Sequence, residues 1–167
     1  MNQLHRAEFQ SPIGIVEITG TERAVISILF SEKTEVEYSI GPDSPQVIAD
    51  CQQQLEEYFK GERTEFNIPF TSAGTEFQQK VWSALTEVPY AETVSYGSIA
   101  KAIGSDKAVR AVGNANSKNK LTIVVPCHRI IGSNGKLTGY AGTLTRKEWL
   151  LRHEKEVERN LSSVNKA

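Results

Sequence analysis

The stretch SIAKAIGSDKAVRAVGNAN, residues 98–116, predicts two short helices separated by a turn at Gly104. Ser105 or Asp106 is placed to cap the second helix, over residues 107–116. Two short helices joined by a glycine-containing turn are typical of a helix-turn-helix motif, whose second helix meets DNA. The second half of the chain is therefore predicted to be built around this motif.

The second of these helices has small residues over part of its surface, namely Ala108, Ala111, Gly113 and Ala115. Lys107 and Arg110 supply positive charge beside them. A thin helix can approach closely in a groove, and Arg110 is long enough to pair with a phosphate or to enter a duplex where a base has left. Ordinary close helix packing is the alternative explanation of the small residues.

Charge is distributed unevenly along the chain. The net charge is −1, but residues 1–96 contain six Lys/Arg and fifteen Asp/Glu, whereas residues 97–155 contain eleven and three. The two parts therefore carry −9 and +8. A basic surface of this kind supplies the salt-dependent part of nucleic-acid binding. A solvated face paired against the acidic half is the alternative.

The composition limits the class of protein. The chain has 167 residues, 39% hydrophobic and 23% charged, which is typical of a soluble globular protein with one domain or two small ones. The absence of a long apolar run and of a signal peptide predicts a cytoplasmic protein with no membrane partner. Neither the two cysteines nor the three histidines have the spacing of a disulfide framework or a zinc site, so no metal and no cofactor are expected.

The first half of the chain predicts an antiparallel sheet followed by a helix. Strand-like segments lie at 13–18, 24–30 and 35–40, with turns between them. Apolar residues over 47–59 recur at helical spacing and place Cys51 on the buried face. Residues 66–70 are a candidate for a further strand, and a linker follows them.

Further elements are predicted around the helix-turn-helix. A helix capped by Thr75 ends before Pro89, a buried strand covers residues 121–125, and Asn134-Gly135 signals a hairpin.

A final helix is predicted from Thr143 or Thr145 to about Glu154. The tail from Glu156 is polar and is expected to fray.

The segment Val124-Val125-Pro126-Cys127-His128-Arg129-Ile130 contains the chemically distinctive residues. A cysteine is nucleophilic only as its thiolate, and His128 or Arg129 is the kind of neighbour that lowers a thiol pKa. A buried structural cysteine is the alternative, because such cysteines are common in cores. On a straight strand Cys127 and His128 would point to opposite faces, so they pair directly only if Pro126 starts a turn.

A series of motifs extends from residue 95 to residue 154: Ser95-Tyr96-Gly97, Arg110-Ala111-Val112-Gly113, Asn119, Pro126-Cys127-His128-Arg129, Gly139-Tyr140-Ala141-Gly142 and Lys147-Glu148-Trp149-Leu150-Leu151-x-His153-Glu154. In order and spacing these motifs resemble the O6-alkylguanine-DNA alkyltransferases. The resemblance covers about residues 75–155. Residues 1–70 agree with that family in size and strand-rich pattern but add little identity.

The resemblance implies a mixed α/β (α+β) fold. A ribonuclease-H-like amino-terminal domain with an antiparallel sheet would cover residues 1–72, and a winged-helix domain containing the helix-turn-helix would cover residues 73–167. The implied function is DNA repair, by single-turnover transfer of an alkyl group such as methyl from guanine O6 to Cys127 after base flipping. O4-alkylthymine is a further candidate substrate. The implied partner is double-stranded DNA containing alkylated bases, bound by a monomer, with cooperative binding left open.

The resemblance also implies roles for individual residues. Cys127 attacks the alkyl carbon, His128 removes the thiol proton, preferably through a water, and Glu154 orients His128. Tyr96 donates a proton to the departing guanine, and Asn119 braces the turn around the site. The residues implied to contact DNA or to line the base pocket are Arg110, Tyr96, Gly97, Ser105, Ala111, Val112, Gly113, Arg129, Ile130, Ser133, Tyr140, Ala141 and Gly142.

Two departures from the family pattern concern substrate range. Lys120 follows Asn119 where the family commonly has proline, and Thr143 follows Gly142 where the family has a second glycine. Three other classes of protein are alternatives: an alkyltransferase-like binding protein, a winged-helix transcription factor and a cysteine hydrolase. The first typically lacks the cysteine, the second does not explain Cys127 with its partners, and nothing indicates a peptide cleft for the third.

Overall fold

An antiparallel sheet followed by a mainly helical segment confirms the mixed α/β fold expected from the sequence. The computed structural model describes residues 3–135, 137, 140 and 143–165. The chain divides into two units, Met1–Ala73 and Gly74–Ala167. Within the part of the chain that is described, no helix combines the length and the apolar content needed to cross a membrane.

The first unit is a three-stranded sheet covered by one helix. Strands β1 (His5–Ser11), β2 (Gly14–Gly20) and β3 (Val25–Ser31) are antiparallel neighbours in that order. The alternation of apolar residues turns one face of the sheet inward, where helix α1 (Gln46–Phe59) packs against it. Cys51 is fully buried on the apolar side of α1, as predicted.

Two strand predictions in this unit need correction. Residues 35–40 form no strand, because residues 35–39 are exposed and their alternation has no face to bury. The buried Glu8 carboxylate instead accepts the N–H groups of Glu37 and Tyr38 at 2.8 and 3.1 Å. Residues 66–70 contribute only one isolated bridge, between Phe70 and Val25.

The second unit begins with helix α2 (Glu76–Thr86), which starts where the sequence predicts. The Thr75 side chain accepts the Gln78 N–H, and the Gln78 side chain accepts the Thr75 N–H, so the two residues form a capping box. The helix ends at Thr86, and its C-cap Glu87 lies two residues before Pro89. A proline cannot continue the helical hydrogen-bond pattern, so this boundary could be read from the sequence.

The helix-turn-helix is formed by α3 (Tyr96–Ala102) and α4 (Val109–Ser117). Gly104 has a φ of 77°, which favours glycine and lets the chain leave α3. The predicted cap of the second helix is wrong: α4 begins two residues later than expected, and its N-cap is Ala108, which makes no side-chain cap. The Ser105 carbonyl accepts the Ala108 N–H at 2.8 Å, so Ser105 belongs to the preceding turn.

The predicted strand at 121–125 is also wrong, although the segment is largely buried. Ile123 has a φ of 73°, a left-handed conformation that a β-branched residue rarely adopts and that no strand contains. Local hydrogen bonds replace a ladder: the Val124 N–H donates to the Thr122 carbonyl at 2.8 Å and the Val125 N–H to the Leu121 carbonyl at 2.9 Å. Buried apolar content alone therefore did not distinguish a strand from a folded loop.

A short turn and a parallel strand pair follow this loop. Residues Cys127–Arg129 form one 3₁₀ turn, and β5 (Ile130–Ile131) pairs in parallel with β4 (Val94–Ser95). The pairing fixes the turn relative to the start of α3, which follows β4 directly. The Gly135 N–H donates to the Gly132 carbonyl at 2.9 Å, so a turn forms at the predicted hairpin, but its second arm includes residues outside the described part.

The last helix, α5 (Leu144–Asn165), is longer than predicted. The sequence indicates an end near Glu154 and a frayed tail from Glu156, whereas the helix continues to Asn165. Charged residues such as those after Glu154 are good helix formers, which explains why polarity was a poor signal for the end.

Candidate active site

Cys127 is fully buried in the 3₁₀ turn that Pro126 begins. The Cys127 N–H donates to the Val125 carbonyl at 2.7 Å, and the Cys127 carbonyl accepts the Asn116 side-chain amide at 3.3 Å. Asn116 lies on α4, so the helix-turn-helix is hydrogen-bonded to the backbone of the cysteine.

Burial raises the pKa of the Cys127 thiol to about 11, and a hydrogen bond from Asn119 and the nearby Lys147 charge oppose that shift. His128 and Arg129 do not lower it as predicted, because both bond Glu154. The thiol is therefore protonated at neutral pH and needs a base to become a nucleophile.

Glu154 is fully buried on α5 and accepts hydrogen bonds from the 3₁₀ turn and from the loop at Ala91. Its carboxylate lies 2.6 Å from His128 Nε2 and accepts Arg129 Nε and Nη2 at 2.9 and 3.0 Å. The Ala91 N–H donates to the same carboxylate at 3.0 Å. Burial opposes ionisation, but the hydrogen bonds from His128 and Arg129 and the Arg129 charge hold the pKa of Glu154 far below its usual range. The carboxylate is therefore ionised.

His128 is fully buried and has one nitrogen committed to Glu154. An ionised carboxylate only accepts hydrogen bonds, so Nε2 bears a proton and Nδ1 is the basic nitrogen of the neutral ring. Nδ1 has no hydrogen-bond partner among the described residues. Burial lowers the pKa of His128, and although the Glu154 charge opposes this, the Arg129 and Lys147 charges add to it.

Asn119 holds the loop that precedes Pro126. Its side-chain amide donates to the Val125 carbonyl at 3.0 Å, and its side-chain oxygen accepts the Leu121 N–H at 3.0 Å. Both bonds lie within the segment that contains the left-handed Ile123. Asn119 therefore supplies the hydrogen bonds that a strand would otherwise have made.

Two tyrosines are among the predicted site residues. Tyr96 is half-buried at the start of α3, and a Cβ atom added to Gly113 would lie 3.7 Å from its ring, so α4 packs closely against Tyr96 there. Tyr140 is buried, and its hydroxyl has no hydrogen-bond partner among the described residues. Burial and the Cys127 charge raise the pKa of Tyr140.

The helix-turn-helix presents several of the predicted contact residues to solvent. Arg110 and Ala111 are exposed on α4, Gly97 is exposed on α3, and Ser105 lies half-buried in the turn. Ser133 is exposed in the turn that follows β5.

Other predicted contact residues are not available at the surface. Val112 is fully buried on the inner side of α4. Ile130 is fully buried in β5. Ala141 and Gly142 lie outside the described residues.

Arg129 requires the largest correction among the predicted contact residues. It is only 6% exposed, and its guanidinium bonds Glu154 and the Val88 carbonyl in place of DNA. The basic character of its side chain gave no sign of this interior position.

Sequence reasoning missed two residues beside Cys127. Asn116 bonds the Cys127 carbonyl, and Lys147 is fully buried with its charge close enough to affect the thiol. Lys147 precedes Glu154 by seven residues, about two helical turns, so both lie on one face of α5. That spacing was a usable signal for Lys147, whereas nothing in the sequence marked Asn116.

Both units match models of one protein family. Residues 76–156 match the DNA binding domain of 6-O-methylguanine DNA methyltransferase, and residues 4–71 match its ribonuclease-like domain. The chain belongs to this methyltransferase family. The resemblance stated from the motifs is thereby confirmed, and DNA is a partner of the chain.

Relatives in the methyltransferase family cover nearly the whole chain. The methylated-DNA–protein-cysteine methyltransferase of Methanosarcina acetivorans is 47% identical, with 90% of this chain and 98% of that protein covered. The constitutive enzyme of Bacillus subtilis is 46% identical, with 93% and 96% covered. The crystal structure of Mycobacterium tuberculosis OGT in complex with DNA superposes with a TM-score of 0.82 at 44% identity, covering 92% and 94%.

Proposed function

We propose that this protein is a methylated-DNA–protein-cysteine methyltransferase that repairs O6-alkylguanine by moving the alkyl group to Cys127. The observation that carries the proposal is the buried Cys127 beside a His128 and Glu154 pair whose basic nitrogen is unoccupied by the described residues. Full-length relatives bear this name at 46–47% identity. We also propose that residues 73–167 are the DNA-binding and transfer domain and residues 1–72 a separate folding unit.

The proposed reaction is a displacement at the alkyl carbon. His128 Nδ1 takes the thiol proton, through one water, and the thiolate forms a bond to carbon as the carbon bond to guanine O6 breaks. The electron pair of that bond stays on guanine, whose negative charge is neutralised by a proton from the Tyr96 hydroxyl. Asn119 holds the turn in place during the step. The product is a thioether, which has no route back to a thiol here, so each molecule reacts once.

Base flipping is the proposed means of access, because chemistry on a stacked base requires its removal from the helix. Gly97, Ser105 and Ala111 are proposed to face the DNA backbone, with Ser133 beside them. Tyr140, Ala141, Gly142 and Ile130 are proposed to line the base pocket. The alkylated bases as substrate, the monomeric state, cooperative binding and the cytoplasmic location stay predictions.

The transfer test is direct. Incubation with duplex DNA containing O6-methylguanine is expected to add one methylene mass to the protein, and peptide mapping is expected to place it on Cys127. Cys127→Ala is expected to remove the gain. Cys51→Ala is the matched control and is expected to keep it, because burial raises the pKa of that thiol to about 12 and it lies in the other unit.

A result of binding without any mass gain would favour a lesion-binding module over a transferase. A mass gain that mapped to Cys51 would contradict the proposed nucleophile.

Arg110 is proposed to fill the space that the flipped nucleotide leaves in the duplex. It is exposed on α4 beside the exposed Ala111, so its side chain is free to enter a groove. Arg110→Ala is expected to slow repair in duplex DNA by at least about tenfold, since separating a base step costs a few kcal/mol. Reaction with free O6-benzylguanine is expected to be unchanged.

Single-turnover rates on both substrates would check this prediction. Lys80→Ala, an exposed cation on α2, is the control. Equal loss on both substrates would argue against a role in opening the duplex.

A further inference from the structure

The interior guanidinium of Arg129 makes hydrogen bonds through all three of its nitrogens within the second unit. Nε and Nη2 bond the two carboxylate oxygens of Glu154 at 2.9 and 3.0 Å, and Nη1 donates to the Val88 carbonyl at 2.9 Å. The guanidinium carbon lies 5.5 Å from the centre of the Tyr90 ring. This paired geometry fixes both groups more firmly than a single hydrogen bond would.

Both oxygens of the Glu154 carboxylate accept hydrogen bonds. An ionised carboxylate has about four lone-pair sites. Among the described residues its donors include the Ala91 N–H, Nε and Nη2 of Arg129, and His128 Nε2. Arg129 supplies two of these described contacts and carries a full positive charge, whereas the Ala91 N–H and a neutral imidazole do not. The carboxylate therefore cannot rotate or shift toward His128 without breaking a charged bond.

We propose that Arg129 is a positioning residue that fixes Glu154 against His128 and offsets its charge, so that His128 rests as a neutral imidazole. A buried carboxylate next to a histidine favours the imidazolium form. An imidazolium has no free lone pair and cannot accept the thiol proton. By pairing Glu154, Arg129 keeps the orienting function of the carboxylate and cancels much of its pull on the proton.

The charged groups around His128 agree with this assignment. Glu154 and Lys147 face it from α5, and Arg129 follows it in the 3₁₀ turn. The two cations and burial disfavour the imidazolium, and Glu154 alone favours it. Cys127 adds a negative charge only after it has lost its proton. The proton therefore moves to His128 when the thiolate forms and does not occupy the ring beforehand.

This inference rests on the proposed function, in which His128 is the base. It specifies how that base is kept in its neutral form before the reaction. It is distinguishable from a merely structural role of the Arg129–Glu154 pair. A structural role predicts lower melting temperatures after substitution and no change in the proton affinity of His128. The positioning role predicts a change in that affinity.

The test is a titration of His128 in the intact, unmodified protein, followed by NMR with ring-labelled histidine and assigned through a His128→Gln spectrum. At pH 7 the wild-type ring is expected to be neutral with its proton on Nε2. An imidazolium at pH 7 would overturn the proposal, and this measurement needs neither DNA nor a variant. Failure of methyl transfer would instead count against the proposed function alone.

Variants then test the source of the effect. In Arg129→Met and Arg129→Gln the titration midpoint of His128 is expected to rise by about one pH unit or more, because a neighbouring cation has been removed. The pH below which the transfer rate falls is expected to rise by a similar amount. Arg129→Lys keeps the charge and is expected to restore the midpoint, with a slower rate because the paired geometry is lost.

Arg152→Met is the matched control, since Arg152 lies exposed on α5 and pairs with Glu148. An unchanged midpoint in a folded neutral variant would contradict the proposal. So would a midpoint in Arg129→Lys that is raised as far as in the neutral variants.

Discussion

Glu154→Gln is expected to lower the free energy of unfolding by about 3–5 kcal/mol, because it leaves the buried Arg129 without a counter-charge. The amide also replaces an acceptor by a donor that faces the Ala91 N–H or the guanidinium. Methyl transfer is expected to slow by roughly a hundredfold or more, since the base loses its orienting group. Chemical denaturation and single-turnover kinetics would measure the two losses.

The same variant has a predicted pH signature. The folded pKa of Glu154 is depressed, so its contribution to stability is present above the unfolded value of about 4.3 and is lost as the pH falls below it. His128 also has a lowered folded pKa, so the unfolded chain gains a proton below about pH 6.5 while the folded chain does not. Both effects lower the free energy of unfolding of the wild type as the pH falls. The contribution of His128 begins at a higher pH than that of Glu154.

Glu154→Gln removes the part of the acid-induced loss of stability that comes from protonation of Glu154. Its stability is expected to lie below that of the wild type at pH 7 and to approach it as the pH falls below about 4.3. Thermal melts at a series of pH values would check the convergence. Glu156→Gln, an exposed position on the same helix, is the control and is expected to follow the wild type. A constant gap at all pH values would contradict an ionised Glu154.

The sequence was most informative where one side chain decides a local structure. Thr75 with Gln78 marked the start of α2. Gly104 marked the end of α3, where a left-handed residue is required. Each of these signals acts over three or four residues and needs no knowledge of the rest of the fold.

The sequence was least informative where hydrogen bonds from residues outside a segment determine the backbone structure of that segment. The loop at 121–125 looks like a strand until the Asn119 side chain is known to replace its ladder bonds. Nothing local indicates that Ile123 adopts a left-handed conformation. Tertiary hydrogen bonds outweigh β-propensity at such positions, because propensity differences are only about 1 kcal/mol.

The candidate site shows the same division. Cys127, His128 and Glu154 could be singled out by motif, and the structure brings His128 and Glu154 into contact. The sequence motifs did not indicate whether the basic side chains near the site are buried or exposed. Arg129 and Lys147 both count toward the basic character of residues 97–155, yet both are buried. The basic surface available to DNA is therefore smaller than the charge of the segment suggests.

Lys147 provides the second large effect, because its charge lies close to the thiol. Lys147→Met is expected to raise the pKa of Cys127 further and to slow its reaction with iodoacetamide by about tenfold or more at neutral pH. The reaction would be followed in a Cys51→Ala background, so that one thiol is observed. Lys155→Met, exposed on the same helix, is the matched control and is expected to react as the wild type does.

Lys147→Met is expected to raise the stability of the folded protein at neutral pH, although it lowers the reactivity of the Cys127 thiol. Burial lowers the pKa of Lys147 to about 8, so the wild type bears the cost of a buried cation at neutral pH. That cost is fully present below pH 8 and is relieved as the pH rises toward the unfolded value of about 10.4, because only the unfolded chain then holds the proton. Relative to Lys147→Met, the wild type is therefore expected to gain stability between pH 8 and pH 10. Full thiol reactivity in Lys147→Met would show that the Lys147 charge does not act on Cys127. A difference in stability between the two proteins that did not change with pH would show that folding does not lower the pKa of Lys147.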